Sequence, residues 1–144
     1  MKEEQEKNEV KNHTVASAER PLILIVEDDK FLRDIIVTKF KQAGFHAEEA
    51  HDGKQALEKL AVTNPKVILL DLLLPEFDGF EVLKAMKERP ETEKIPVIVL
   101  SNLGQEADIE KAKNLGAKDF LIKAYVTPTE IVDRVKKLLR EIYF

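Results

Sequence analysis

The chain has no cysteine among its 144 residues, which excludes disulfide frameworks, thiolate zinc sites and cysteine nucleophiles. It has no apolar run near the ~18 residues needed to span a bilayer. Its opening stretch, Met1-Lys2-Glu3-Glu4-Gln5-Glu6-Lys7, has no apolar segment of signal-peptide type. Positive charge is not in surplus either. The formal net charge is -4, which gives no support for broad binding to nucleic acid or an anionic membrane. These absences point to a cytoplasmic protein that touches neither nucleic acid nor membrane directly. What remains is 44% hydrophobic and 35% charged, the composition of a soluble globular protein long enough for one proper core.

Residues 1 to 19 are polar and charged, with Val10, Val15 and Ala16 too scattered to form an apolar face. Such a segment cannot offset its ordering entropy, so it reads as a flexible tail and residues 20–144 as the folded domain. Order begins at Pro21. Leu22-Ile23-Leu24-Ile25-Val26 is an aliphatic run closed by Glu27-Asp28-Asp29. Phe31, Leu32, Ile35, Ile36 and Phe40 then recur at helical spacing, with Asp29 as N-cap and Gly44 as the stop. His46 to Ala50 is a weak strand, suited to an edge. A helix from Lys54 to Val62 ends at Asn64-Pro65. Val67-Ile68-Leu69-Leu70 runs into Asp71, and Leu72, Leu73 and Leu74 follow before Pro75 and Gly79 break the pattern.

A helix from Gly79 to Arg89 leads to a polar loop bracketed by Pro90 and Pro96. Val97-Ile98-Val99-Leu100 ends at Ser101-Asn102, a short helix spans Ala107 to Leu115, and Asp119 to Ile122 is a strand ending at Lys123. Thr127-Pro128-Thr129-Glu130 has the form of a capping box with proline at the first helical position. The last helix runs almost to Phe144, and no second domain is expected after it. Strand and helix thus alternate five times. Aliphatic strands with short connections imply a doubly wound (βα)5 parallel sheet of the α/β class, with helices on both faces. Placing the weak second strand at an edge gives the order 2-1-3-4-5, whose switch point lies between the first and third strands.

The strand tips then come together: Glu27 and Asp28, Asp71, Ser101 and Lys123. A carboxylate ending a buried strand is costly unless something holds its charge. Three at close range cannot all stay ionised without a cation. Oxygen-only ligation suits Mg²⁺ better than zinc, and three acids, one lysine and one Mg²⁺ balance to zero. A phosphoryl group entering this site would find a metal, a lysine and a hydroxyl. Asp71 is then left as nucleophile, forming an acyl phosphate.

With these motifs in order, residues from about Pro21 to Tyr143 resemble a response-regulator receiver domain of two-component signalling, the CheY-like family. The resemblance rests on the acidic pair Glu27-Asp28, the stretch Asp71-Leu72-Leu73-Leu74-Pro75-Glu76-Phe77-Asp78-Gly79, Ser101 after its aliphatic strand, and Lys123 at the end of Gly116 to Lys123. It implies that Asp71 takes phosphate from a sensor histidine kinase or phosphotransfer protein. It also implies Mg²⁺ on Asp28, Asp71 and the Leu73 backbone carbonyl, with Glu27 acting on the metal through water. Ser101 would move to the phosphoryl group and draw in Phe120 as the aromatic switch. The face made by the fourth helix, fifth strand and last helix would then signal to a downstream protein, or form a homodimer.

Two departures from the family pattern stand out. Ala124 replaces the usual proline after the lysine; the expectation is that a cis bond is nonetheless retained, because Lys123 must point into the site. Asn102 follows Ser101 where a smaller residue is more usual, which narrows the expected groove. Leu73 and Leu103, two residues past the acceptor and the hydroxyl, offer nothing to orient an attacking water, so a long-lived phosphorylated state is expected.

Plainer readings apply elsewhere. Asp29 and Asp78 read as a cap and a turn residue, His13, His46 and His51 as exposed, and a core aromatic is the lesser alternative for Phe120. A Mg²⁺-dependent phosphohydrolase of similar fold would want a second acid where Leu73 stands. A phosphorylation-independent interaction domain would have lost one of these five site groups. The leading expectation is a stand-alone signalling module that is not an enzyme beyond its own phosphorylation and dephosphorylation.

Overall fold

The computed structural model describes residues 20–143, so the tail expected over residues 1–19, with His13, lies outside the described residues. Five strands, β1 (Leu22–Val26), β2 (His46–Ala50), β3 (Val67–Leu70), β4 (Val97–Ser101) and β5 (Asp119–Ile122), form one sheet in the order β2-β1-β3-β4-β5. Every pairing is parallel. The helices are α1 (Lys30–Gln42), α2 (Gly53–Val62), α3 (Gly79–Lys87), α4 (Glu106–Asn114) and α5 (Pro128–Tyr143), with a 3-10 turn over Lys123–Tyr125. Among the described residues no helix is long and apolar enough to cross a membrane.

The alternation of side chains along each strand makes two cores from one sheet. Leu24, Val26, Ile68, Leu70, Val97 and Val99 face Leu60, Val82, Leu83 and Met86 of α2 and α3. Ile23, Ile25, Val67, Leu69, Ile98 and Leu100 face Ile36, Val37 and Phe40 of α1 and Ile131, Val135 and Leu139 of α5. β1 and β3 are therefore aliphatic throughout and β4 is aliphatic up to Ser101, while β2 at the edge buries only Ala50. The helices are anchored unequally: α3 buries Gly79, Val82, Leu83 and Met86, whereas α4 buries Ala112 alone.

The starts of the helices follow their side chains. Asp29 Oδ1 accepts from the Leu32 N–H and Asp52 Oδ1 from the Gln55 N–H. Asp78, read from the sequence as a turn residue, forms a full capping box with Glu81. The box expected at Thr127 is half made: its hydroxyl accepts from the Glu130 N–H, but the Glu130 carboxylate accepts from that same hydroxyl and not from the Thr127 N–H. Gly44, at φ +94°, ends α1 as a left-handed stop. Helix α3 closes at Lys87, short of Arg89, because Thr92 is buried and its hydroxyl donates to the Met86 carbonyl. Phe31 and Ile35, expected on the buried face of α1, stay exposed, and Val37 is buried instead. The first turns of α1 follow directly from the tip of β1, beyond the apolar cover of the sheet.

The loop from Leu72 to Asp78 is fixed by two close approaches. A Cβ on Gly79 would lie 2.3 Å from the Asp71 carbonyl oxygen and 2.6 Å from Leu72 Cα. A Cβ on Gly53 would meet the Phe77 carbonyl oxygen, so the same loop is wedged against the start of α2. Between them Glu76 adopts φ +63°, and the Phe77 N–H donates to the Pro75 carbonyl at 2.7 Å. That is the rare, strained γ-turn. Gly79→Ala is expected to lose about 1–3 kcal/mol of unfolding free energy, the usual cost of overpacking, because only backbone could give way. Gly104→Ala, whose Cβ would meet just the end of the Ile122 side chain, should stay within about 0.5 kcal/mol of the parent. Denaturant midpoints of the two variants decide it; equal losses would refute the steric assignment.

Candidate functional site

The sheet register brings the strand tips together. Val26 is paired with Leu70 and Ser101 with Ile122, so Glu27, Asp71, Ser101 and Lys123 sit at or just past the carboxyl ends of adjacent strands. The Asp71 N–H donates to the Val26 carbonyl at 3.0 Å, the last rung between β3 and β1. Asp71 is 3% exposed and Glu27 2%, while Asp28 faces solvent.

Each oxygen of Asp71 is engaged. Oδ1 accepts from the Ser101 hydroxyl at 2.9 Å and from the Leu73 N–H at 3.0 Å. Oδ2 accepts from Lys123 Nζ at 2.6 Å. The same ammonium lies 2.5 Å from Glu27 Oε1, but that contact is an ion pair without hydrogen-bond geometry. Glu27 Oε1 is consequently a buried oxygen that accepts no hydrogen bond. Glu27 Oε2 accepts from the Asp29 N–H. Ser101 Oγ, wholly buried, also accepts from the Leu103 N–H at 3.3 Å.

The expected cis bond after Lys123 is not there: no cis peptide bond occurs among the described residues. The chain leaves β5 through the 3-10 turn Lys123–Tyr125, and from its first residue the lysine still reaches both carboxylates. A trans bond at Ala124 avoids the ~2.5–4 kcal/mol of a cis non-proline amide. Of the remaining candidates, Phe120 is half-buried against the α2–α3 core, as is Leu103, and Leu73 is 53% exposed. His46 and His51 are exposed.

The cluster of acids makes this a candidate cation site. Glu27, Asp28 and Asp71 offer carboxylate oxygens that all lie within 4.8 Å of one another. An oxygen-only donor set of this density, with one buried oxygen lacking a hydrogen bond, fits a hard divalent cation. Burial pushes the Glu27 carboxyl up to about 7, with the Asp71 charge adding to the rise and Lys123 opposing it. For Lys123, burial acts downward, but its contacts with the Asp71 and Glu27 carboxylates outweigh it and the ammonium is raised.

Arg33 was not singled out by the sequence. It is nearly buried, and its Nη1 donates to the Glu27 carbonyl at 2.7 Å while its Nε donates to Glu49 Oε1 at 3.0 Å. Its place on the helix gave no distinguishing signal, since Lys30 precedes it and its partners in the acid segment are backbone carbonyls.

A pH dependence follows from Glu27. Its folded pKa is raised above the ordinary 4.5, so its contribution to stability is full below that value and is lost as pH rises through about 7. In a metal chelator the parent protein should unfold more readily at pH 8 than at pH 5.5, and Glu27→Gln should flatten that difference. A parent profile that rises over this range, with no change in the variant, would count against the assignment.

Comparisons with known proteins agree with this geometry. A family model described as "Response regulator receiver domain" matches residues 23–136. The phosphate regulon transcriptional regulatory protein PhoB of Rhizobium meliloti is 33% identical over 120 residues, covering 83% of this chain and 52% of that protein. The transcriptional regulatory protein SrrA of Staphylococcus aureus is 37% identical over 118 residues, 82% of this chain and 47% of that one. The chain thus spans about half the length of these curated relatives. Their names lend no support to the expectation of a stand-alone module without nucleic-acid contact. Among solved structures, the receiver domain of the Francisella response regulator 1452 aligns with TM-score 0.78 at 32% identity, covering 85% of this chain and 98% of that one. Vibrio cholerae CheY4 aligns with TM-score 0.78 at 26% identity, covering 83% and 99%. With the acid cluster, hydroxyl and lysine gathered at the tips of a 2-1-3-4-5 sheet, the chain belongs to the response regulator receiver domain family.

Proposed function

We propose that Asp71 is the phosphoryl acceptor, charged by the phosphohistidine of a sensor histidine kinase or phosphotransfer protein and read by a downstream partner. The observation that carries this reading is the buried Asp71 carboxylate, held by Ser101 and the Leu73 N–H on one oxygen and by Lys123 on the other, beside two further acids. An Asp71 oxygen forms the bond to phosphorus as the bond from phosphorus to the donor imidazole nitrogen breaks, and the electron pair stays with the imidazole. Glu27, Asp28, Asp71 and the Leu73 carbonyl are the oxygens that would hold Mg²⁺. When bound, Mg²⁺ supplies a Lewis acid that offsets charge on the phosphoryl oxygens.

The protein's own groups do the rest. Lys123 exchanges its bond to Asp71 for one to a phosphoryl oxygen and keeps Glu27 neutralised. Ser101 turns its hydroxyl from Asp71 to the phosphoryl group, and Phe120, on the strand beside it, follows inward. The change then passes to the face of α4, β5 and α5, which carries the weakly anchored helix. Leu73 and Leu103 present no group that could orient a hydrolytic water.

Incubation with acetyl phosphate and Mg²⁺ should add one phosphoryl group to the intact mass of the wild type and none to Asp71→Asn. Catalytic release of phosphate with no stable adduct would favour a phosphohydrolase instead. In a second experiment, phosphorylated Leu73→Asn and Leu103→Glu should dephosphorylate faster than wild type. Unchanged decay in both would sink the role given to the leucines.

A further inference from the structure

The segment Glu27-Asp28-Asp29 bears two of the three clustered carboxylates, yet it belongs to neither β1 nor α1. Acids on an untethered loop would not hold a fixed geometry, so the question is what ties their backbone. The Glu27 N–H is tied to the Ala50 carbonyl and the Asp29 N–H to Glu27 Oε2. The Asp29 carbonyl accepts from the Arg33 N–H, as part of α1. The carbonyls of Glu27 and Asp28 have one side chain between them: Arg33 Nη1 lies 2.7 Å from the first and 3.4 Å from the second.

That guanidinium is itself fixed. Its Nε donates to Glu49 on the edge strand at 3.0 Å, and the arginine side chain is 11% exposed against 45% for the glutamate. Its salt bridge is to Glu49, and its contacts with the acid segment are to backbone oxygens. Lys123 is the cation that meets the Glu27 and Asp71 carboxylates. The two cations therefore divide the work. Lysine neutralises the side chains, and arginine braces the main chain that carries them. A planar fork suits the second task, since it can reach two carbonyls and a carboxylate at once, and an ammonium cannot reproduce that span.

We infer that Arg33 is a positioning residue of the divalent-cation site, bracing the backbone of Glu27 and Asp28 from α1 with Glu49 as its anchor on β2. This rests on the reading of the acid cluster as a Mg²⁺ site. Groups that orient metal ligands typically change affinity by about 10–100-fold when removed. Arg33→Gln should accordingly raise the Mg²⁺ dissociation constant at least about tenfold, as read by calorimetric titration of the protein with Mg²⁺ alone. Arg33→Lys should recover part of the loss, and Glu49→Ala should shift affinity in the same direction by less.

Labelling with acetyl phosphate gives a second readout: the Mg²⁺ concentration for half-maximal labelling should rise in Arg33→Gln while the maximal rate at saturating Mg²⁺ is kept. A general structural defect would lower the maximum instead. Wild-type Mg²⁺ affinity in a folded Arg33→Gln overturns the inference. If that variant does not fold, unchanged affinity in Glu49→Ala overturns it equally. A wild type that binds no Mg²⁺ would remove both this inference and the metal reading beneath it. A wild type that binds Mg²⁺ but takes up no phosphoryl group would remove the acceptor reading alone, and the calorimetric comparison would still decide the role of Arg33.

Discussion

Two carboxylates are buried at neighbouring strand tips, and one lysine answers both. That contact governs the rest of the site. Glu27 directly follows β1 and Asp71 directly follows β3, and these strands are adjacent because the chain reverses its winding there. Lys123 follows β5, two strands beyond β3, so its side chain must extend along the strand tips to reach Asp71. It passes the tip of β4, where the residue is a buried serine. A larger side chain at that place would stand in the lysine's path. The small hydroxyl leaves room and supplies a donor to Asp71 as well.

The arrangement is stable without being at rest. One buried Glu27 oxygen has a charged neighbour but no hydrogen bond, and burial raises the Glu27 carboxyl toward neutrality. A single ammonium cannot satisfy two carboxylates and leave the third, Asp28, with a partner of its own. Electrostatic demand of this kind, left open by the fold, is characteristic of sites that bind and react. It exists because the aliphatic strands beneath are rigid enough to hold the acids in unfavourable proximity.

Much of this was legible in the sequence. Aliphatic runs at residues 22–26, 67–70 and 97–100 marked buried strands, and two consecutive glutamates in His46 to Ala50 marked the edge strand. Acids placed directly after apolar runs pointed to the candidate site, and the fold gathers those acids. What stayed hidden depended on three-dimensional reach. The Lys123–Ala124 bond was misjudged because the motif's usual proline suggested a cis bond as the way to aim the lysine, whereas a 3-10 turn does the same. Phe31 looked like a core residue because periodicity reports the direction of a side chain and not whether the sheet extends beneath it. Thr92 sat in a stretch that read as polar loop, yet it closes the end of α3. Arg33 looked like one more charge on a helix, since its carbonyl partners carry no sequence signature.

The two glycines that admit the acceptor loop also determine where this domain can yield. On the side of α2 and α3, main chain lies against main chain: Gly79 touches the carbonyl of Asp71 and Gly53 that of Phe77. At Gly79 all the near atoms are backbone, so there is no side chain to rotate. On the same face of the sheet, past β4, α4 rests on one buried alanine. A domain built in this way is a clamp with one fixed jaw. At Asp71, backbone closes the space toward α3, while the helix with the least buried anchorage lies past β4.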